Sequence, residues 1–318
     1  MKIENRWLVF IAVGVGAFMS AIATSIVAIV LPVMSLDFGT ESPMNYDALI
    51  TKLKDVDLVI YAGGISSLLE GEEMPIDLPG FKGGDRTDIE LPAVQRNCLN
   101  ALKQAGKKVV FVNCSGSAMG LVPETESCEA ILQAWYSGES GGQAVADVLF
   151  GDYNPSGKLP ITFYKSVQQL PPFEEYSMKG RTYRFMSDPL FPFGFGLSYT
   201  TFSIGDAKLS KSSIKADEGV EITIPVSNTG KRTGTEIVQV YVHKANDTDG
   251  PIKTLRGFQR VDIAAGRTSQ AVIPLPGTAF EFFDRKRGKM AVTAGEYEVW
   301  YGTSSDSKDL KSVRVSIE

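Results

Sequence analysis

Between Asp57 and Gly151 short apolar runs alternate with amphipathic stretches, and this alternation limits the fold more than any other feature of the chain. Asp57-Leu-Val-Ile-Tyr-Ala-Gly-Gly64 reads as a buried strand with a loop at its carboxyl end. Glu90–Gly106 is amphipathic, with Leu91, Val94, Cys98 and Leu102 on one face. Pro92 suits the first turn of that helix and Gly106 suits its stop. Lys107–Asn113 is the next predicted strand and Ala130–Tyr136 a third. Gly142–Phe150 is a second predicted helix, ended by Gly151. Strands alternating with helices predict a mostly parallel sheet covered by helices, an α/β sandwich. Ligands of such sheets sit beyond the carboxyl ends of the strands. Chemistry is therefore expected in the loops after Gly64, Asn113 and Trp135.

From Ala207 the hydrophobic period becomes two. Val220–Ser227, Thr235–Val242, Ser269–Pro274, Tyr297–Tyr301 and Lys311–Ile317 read as strands, with turn signals at Asn228–Gly230 and Asp247–Gly250. Short strands without helices predict an all-β immunoglobulin-like sandwich. Its aromatic residues are read as core.

The segment before both halves is different in kind. From Trp7 to Leu36 thirty residues carry no charge. About twenty apolar residues span a bilayer as a helix, so residues 7–36 predict one N-terminal apolar helix that contacts the membrane. Lys2 and Arg6 precede it and Asp37 follows. That order places the N-terminus in the cytoplasm and the soluble part outside, in the periplasm. A cleaved signal peptide is the competing reading, with Ala21-Ile-Ala23 as its cleavage site, although its apolar stretch is ordinarily about 7–15 residues.

The remaining composition excludes several functions. A net charge of −5 without a basic stripe argues against a nucleic-acid partner. Cys98, Cys114 and Cys128 form no C-x-x-C pair and are too few for a disulfide scaffold, so they read as small buried hydrophobes. His243 is the only histidine, which removes most Ser-His-Asp and Cys-His mechanisms. It closes the run Ile237–His243 and reads as a strand-end residue. No metal site or cofactor is expected, since no EF-hand spacing, P-loop or dinucleotide fingerprint is present. Gly80–Gly84 and Gly138–Gly142 read as structural turns, with anion binding at the following helix the rival reading for the second.

The first strand-end loop is acidic. Glu70, Glu72 and Glu73 lie within four residues, followed by Asp77 and then Asp85-Arg86. One reading is a solvated acidic loop. The other is a carboxyl group presented into a cleft, where a raised carboxyl serves as a general acid. Asp85 and Arg86 read as an ion pair that fixes the loop, or as a clamp on a ligand hydroxyl.

Four stretches carry a resemblance. Ala134-Trp135-Tyr136-Ser137-Gly138-Glu139-Ser140-Gly141-Gly142, continuing through Gly151-Asp152-Tyr153-Asn154-Pro155-Ser156-Gly157-Lys158-Leu159-Pro160, resembles the C-terminal α/β-sandwich domain of glycoside hydrolase family 3. Ser137 stands where that family usually has proline. Phe191-Pro-Phe-Gly194-Phe195-Gly196-Leu197-Ser198-Tyr199 resembles the family's link into its last domain. Leu255–Val261 and Ala294–Tyr297 resemble the fibronectin type III-like domain that ends many members. The wording is most similar to bacterial β-xylosidases and β-glucosidases, over roughly residues 45–318.

The resemblance implies retaining hydrolysis of terminal β-linked sugars, from an oligosaccharide, xyloside or glucoside. That reaction uses two carboxyl groups about 5 Å apart. In the family the nucleophile is an Asp on an N-terminal (β/α)8 barrel, and the acid/base is a Glu in the loop region matching Gly64–Arg86. By position the acid/base is carried onto Glu70, with Glu72 as its rival; Asp85 and Arg86 are carried as substrate-binding residues. A barrel takes on the order of 250 residues, and 44 precede Asn45. The expectation is a chain with half an active site, inactive without a separate barrel or an oligomeric partner. The alternative is a membrane-tethered carbohydrate-binding or assembly module without catalysis. The expected divisions are 1–40 apolar, 41–165 α/β, 166–205 linker and 206–318 fibronectin type III-like. Separately, Arg6-Trp7-Leu8-Val9, Phe18-Met19-Ser20-Ala21, Thr24-Ser25-Ile26-Val27 and Leu31-Pro32 resemble the first transmembrane helix of major facilitator drug-efflux transporters. No second span exists to form a transport path.

Overall fold

The apolar runs of the first half lie side by side as parallel strands. The structure is a computed structural model and describes residues 9–12, 45–66, 75, 77–83 and 85–318. Strand β1 is Val9–Ala12, helix α1 Tyr46–Lys52 and strand β2 Leu58–Gly64. Three two-residue strands follow: β3 Asp77–Leu78, β4 Phe81–Lys82 and β5 Asp85–Arg86. Then come α2 Ala93–Gln104, β6 Lys108–Cys114, α3 Val122–Ser127, β7 Ala130–Gln133 and α4 Gly141–Phe150. The main sheet runs β1-β2-β6-β7, every pair parallel. Val59, Tyr61, Val109 and Phe111 are fully buried, and Tyr61 meets Phe111 edge-on at 5.8 Å.

Helix α2 shows why this sequence stops where it does. Pro92 caps it without side-chain bonding, and Cys98, Leu99 and Leu102 are buried. Gly106 adopts φ +71, and its N–H reaches Lys103 O at 2.9 Å while Lys107 N–H reaches Leu102 O at 3.0 Å. This is the Schellman closure that glycine permits.

Two expectations need correcting. The N-terminal apolar helix is not seen where the segment is described. Val9–Ala12 is a strand in register with Val59–Ala62, and no helix among the described residues is long and apolar enough to cross a membrane. Residues 13–36 lie outside the described residues. A parallel strand covered on both faces is apolar throughout, so a charge-free run cannot separate such a strand from a span. The third predicted strand ends at Gln133, short of Tyr136, because Trp135 turns into the left-handed region at φ +57.

The described fold divides into two compact units. The first carries the residues above with Tyr164–Gln169; the second carries Gly151–Phe163 and Leu170–Glu318. The second opens with a short helix, α5 Thr182–Phe185, and is otherwise β-rich. Its strands are β8 Phe202–Ile204, β9 Lys208–Leu209, β10 Ser213–Ile214, β11 Val220–Asn228, β12 Gly234–Lys244 and β13 Thr254–Ile263. β14 Thr268–Leu275, β15 Phe282–Asp284, β16 Lys289–Ala291, β17 Gly295–Gly302 and β18 Lys311–Ile317 complete it. One sheet runs β10-β18-β17-β12-β13 and the other β14-β11-β8. Ile222, Ile224, Val240, Phe280, Tyr297 and Val299 share the core between them. Each such side chain contributes about 1.5–3 kcal/mol by burial.

The Phe-Pro-Phe-Gly stretch packs on this β unit. Tyr183 stacks on Phe193 at 4.4 Å and meets Tyr241 edge-on at 5.8 Å. Gln239 Nε2 donates to Gly194 O at 3.1 Å and to Thr303 O at 2.7 Å. His243 is the penultimate residue of β12; its Nδ1 lies 3.1 Å from Pro251 O and its ring stacks on Trp300.

Candidate functional site

The carboxyl ends of β2, β6 and β7 bring together the three loops that the sequence singles out. Gly64 ends β2 at φ +125, and a Cβ there would stand 1.9 Å from Cys114 O. Only glycine fits this exit. Gln95, on α2 and 1% exposed, accepts from Gly64 N–H at 2.8 Å and donates to Gly64 O at 2.7 Å. Ile65 N–H donates to Cys114 O at 3.0 Å, and Tyr136 Oη donates to Ile65 O at 2.9 Å. The loop after β7 thus holds the loop after β2.

A polar cluster occupies the ends of β6 and β7. Asn113 is fully buried; its Nδ2 donates to Gln133 Oε1 at 2.6 Å and to Ser115 Oγ at 3.3 Å. Gln133 Nε2 donates to Ser115 Oγ at 3.1 Å, and Ser115 Oγ donates to Ser117 O at 3.0 Å. Arg86 joins this cluster from β5. It donates from Nη1 to Ser117 Oγ at 3.0 Å and from Nε to Asp88 O at 3.0 Å. Asp85 is exposed and Arg86 half-buried on neighbouring positions of the small sheet, opposite Lys82 and Phe81. Arg86 therefore ties the acidic loop's far end to the loop after β6. Glu70 and Glu72 lie outside the described residues.

An ion-pair network lies beside these loops. Arg96 Nε meets Glu124 Oε1 at 2.8 Å, and its Nη2 meets Glu90 Oε2 at 3.0 Å and Gly120 O at 3.0 Å. Burial works against the guanidinium charge, but bonds and charges from Glu124 and Glu90 outweigh it and raise its pKa. Among the described residues no group of three or more His, Cys, Asp or Glu side chains could hold a metal ion.

Sequence reasoning missed Gln95, Glu124 and the Asn113–Gln133 pair. Gln95 left a signal, since it is a polar residue inside the apolar stripe of α2. Glu124 left none, because Pro123-Glu-Thr-Glu126 reads as a solvated turn.

Comparison with known proteins places this arrangement. Residues 12–199 match the Glycosyl hydrolase family 3 C-terminal domain and residues 236–305 the Fibronectin type III-like domain. The chain is 56% identical over 284 residues to a xylan 1,4-beta-xylosidase of Xylanibacter ruminicola, covering 89% of this chain and 33% of that protein. It is 36% identical over 273 residues to a periplasmic beta-glucosidase of Salmonella typhimurium, covering 81% of this chain and 34% of that one. The crystal structure of a Bifidobacterium adolescentis beta-glucosidase superposes with a TM-score of 0.76 at 31% identity, covering 89% of this chain and 42% of that chain. The chain thus spans about a third of the length of the curated relatives it matches.

Proposed function

The chain belongs to glycosyl hydrolase family 3, and on that premise we propose that it is the acid-bearing C-terminal region of a retaining β-xylosidase. The 56% identity to the Xylanibacter xylosidase, against 36% to the Salmonella glucosidase, carries the choice of xylosides over glucosides.

Glu70 acts as the acid/base in this reading, with Glu72 as its rival. Its carboxyl group protonates the glycosidic oxygen as the sugar–oxygen bond breaks. An aspartate supplied by a barrel takes the sugar as an ester. The Glu70 carboxylate then removes a proton from the water that cleaves the ester. Asp85 and Arg86 are proposed to line the substrate side of the loop, Arg86 as a strut between loops rather than a free clamp. A membrane anchor through residues 7–36 is no part of this proposal, since Val9–Ala12 pairs within the sheet. The Salmonella relative is named for the periplasm, and the same compartment is proposed here.

The test is a hybrid in which residues 45–318 replace the matching segment of the Xylanibacter enzyme. It is expected to hydrolyse 4-nitrophenyl β-xyloside at least tenfold better than the β-glucoside, by kcat/KM. A folded hybrid that hydrolyses neither, or prefers the glucoside, contradicts the proposal.

A further inference from the structure

A buried amide on an apolar helix face is costly unless both its ends are used. Gln95 meets that condition in an unusual way. It lies in the first turn of α2 among Leu91, Cys98 and Leu99, all 2% exposed or less. Its carbonyl takes the N–H of Gly64 at 2.8 Å and its amino group reaches the C=O of the same residue at 2.7 Å. One side chain therefore does for Gly64 what a neighbouring strand would do. A leucine would serve the packing of α2 without these bonds, so packing alone does not call for glutamine.

The bonds fall where direction matters. Gly64 turns the chain out of β2 at φ +125, with no room for a side chain against Cys114 O. At Ile65 the two backbone groups are taken by Cys114 O and by the Tyr136 hydroxyl. All four backbone groups of the exit are thus bonded, two of them by Gln95. Such a bond adds little net stability, but leaving a buried group without its partner costs more than the bond itself contributes. Without the amide, the exit loses the contact that opposes rotation about Gly64.

We propose that Gln95 is a positioning residue for general-acid catalysis: it fixes the direction in which the chain leaves β2 toward the loop bearing Glu70. This rests on the reading of Glu70 as the acid/base. Gln95 acts through Gly64 and touches no substrate.

Leaving-group dependence separates positioning from a structural role. Protonating the departing oxygen matters for poor leaving groups and hardly at all for good ones, and general acids contribute about 10²–10⁴-fold. The hybrid enzyme carrying Gln95→Met is assayed on phenyl and 2,4-dinitrophenyl β-xyloside. The expected loss in kcat/KM, which reports formation of the glycosyl ester, is about 10–100-fold for the phenyl compound and under about 3-fold for the dinitrophenyl compound, of the size that a misplacement near 1 Å produces. Gln95→Glu, nearly the same shape, makes both bonds only when its carboxyl is protonated, so its loss is expected to shrink as the pH falls. It also carries the test if the methionine variant folds poorly. An equal loss for both substrates, or none, overturns the proposal. Glu70→Gln run in parallel is expected to show the same dependence more steeply. If it shows none, the acid assignment fails instead, and the positioning role with it.

Discussion

Arg96 grips Glu124 with two bonds, Nε to Oε1 at 2.8 Å and Nη2 to Oε2 at 3.1 Å, and the Glu124 side chain is 1% exposed. The pair joins α2 to the first turn of α3, and Glu90 and Gly120 O complete the guanidinium's partners. Removing one member of a buried pair strands the other charge, at a cost of about 3–5 kcal/mol. Arg96→Met is therefore expected to lower unfolding stability by that amount in urea titration. Arg96→Met combined with Glu124→Met is expected to recover most of the loss. A double variant as unstable as the single one would contradict this account.

Lys253 makes folding depend on alkaline pH. Its ammonium is buried, donating to Ser305 O at 2.6 Å and Ser307 Oγ at 2.8 Å, and lies 5.3 Å from the Trp300 ring. Burial pushes its pKa from the ordinary 10.5 down to about 8, with Asp306 opposing. Below about 8 both folded and unfolded chains hold the proton, and the full penalty of burying the charge is present. Between about 8 and 10.5 the unfolded chain binds more protons, so stability rises with pH. The gain is at most about 3 kcal/mol. Thermal unfolding of the chain and of Lys253→Met from pH 7 to 10.5 is expected to show the native protein gaining on the variant above pH 8. Parallel curves would refute it.

Two glycines with left-handed φ differ sharply in what surrounds them. Gly64→Ala drives a Cβ to 1.9 Å from Cys114 O, while Gly83→Ala at φ +62 meets nothing within 4 Å. The second is expected to cost about 1–2 kcal/mol, the conformational penalty alone. The first is expected to exceed about 3 kcal/mol. Comparable urea midpoints for the two variants would show that the β2 exit relaxes freely.

The elements that punctuation and period define were legible in the sequence. Pro92 and Gly106 bracket α2, the β-branched runs at Leu58–Gly64 and Lys108–Cys114 are strands, and β11, β12, β14, β17 and β18 follow their period-two pattern. Elements defined by distant partners were not. The two-residue strands β3, β4 and β5 are too short to show a period. β13 is broken by Gly257 and by a register shift opposite Val240 and Tyr241. Val9–Ala12 is lost inside a longer apolar run that marks neither end of the strand. In the site, the three loops were legible because strand order alone places them together. The Gln95–Gly64 bonds were not, since they join residues 31 apart.

The thiols are expected to be inert in the folded chain. Cys98 and Cys114 are buried and Cys128 half-buried, all unbridged. Burial pushes their pKa values up to about 12 for Cys98 and about 11 for the other two. Thiolate, the reactive form, is scarce at neutral pH. Iodoacetamide at pH 8 is expected to label none within minutes, Cys128 first on longer exposure, and all three in urea. Rapid native labelling of Cys98 would contradict the burial.

If Glu70 supplies the general acid, azide restores turnover to an enzyme that lacks it. In a retaining enzyme without its acid/base, small anions intercept the glycosyl ester that water no longer attacks efficiently. The hybrid enzyme carrying Glu70→Gln, given 2,4-dinitrophenyl β-xyloside and sodium azide, is expected to regain turnover at least tenfold and to form β-xylosyl azide. Glu72→Gln is expected to do neither. Azide product from Glu72→Gln, or from neither variant, would contradict the assignment.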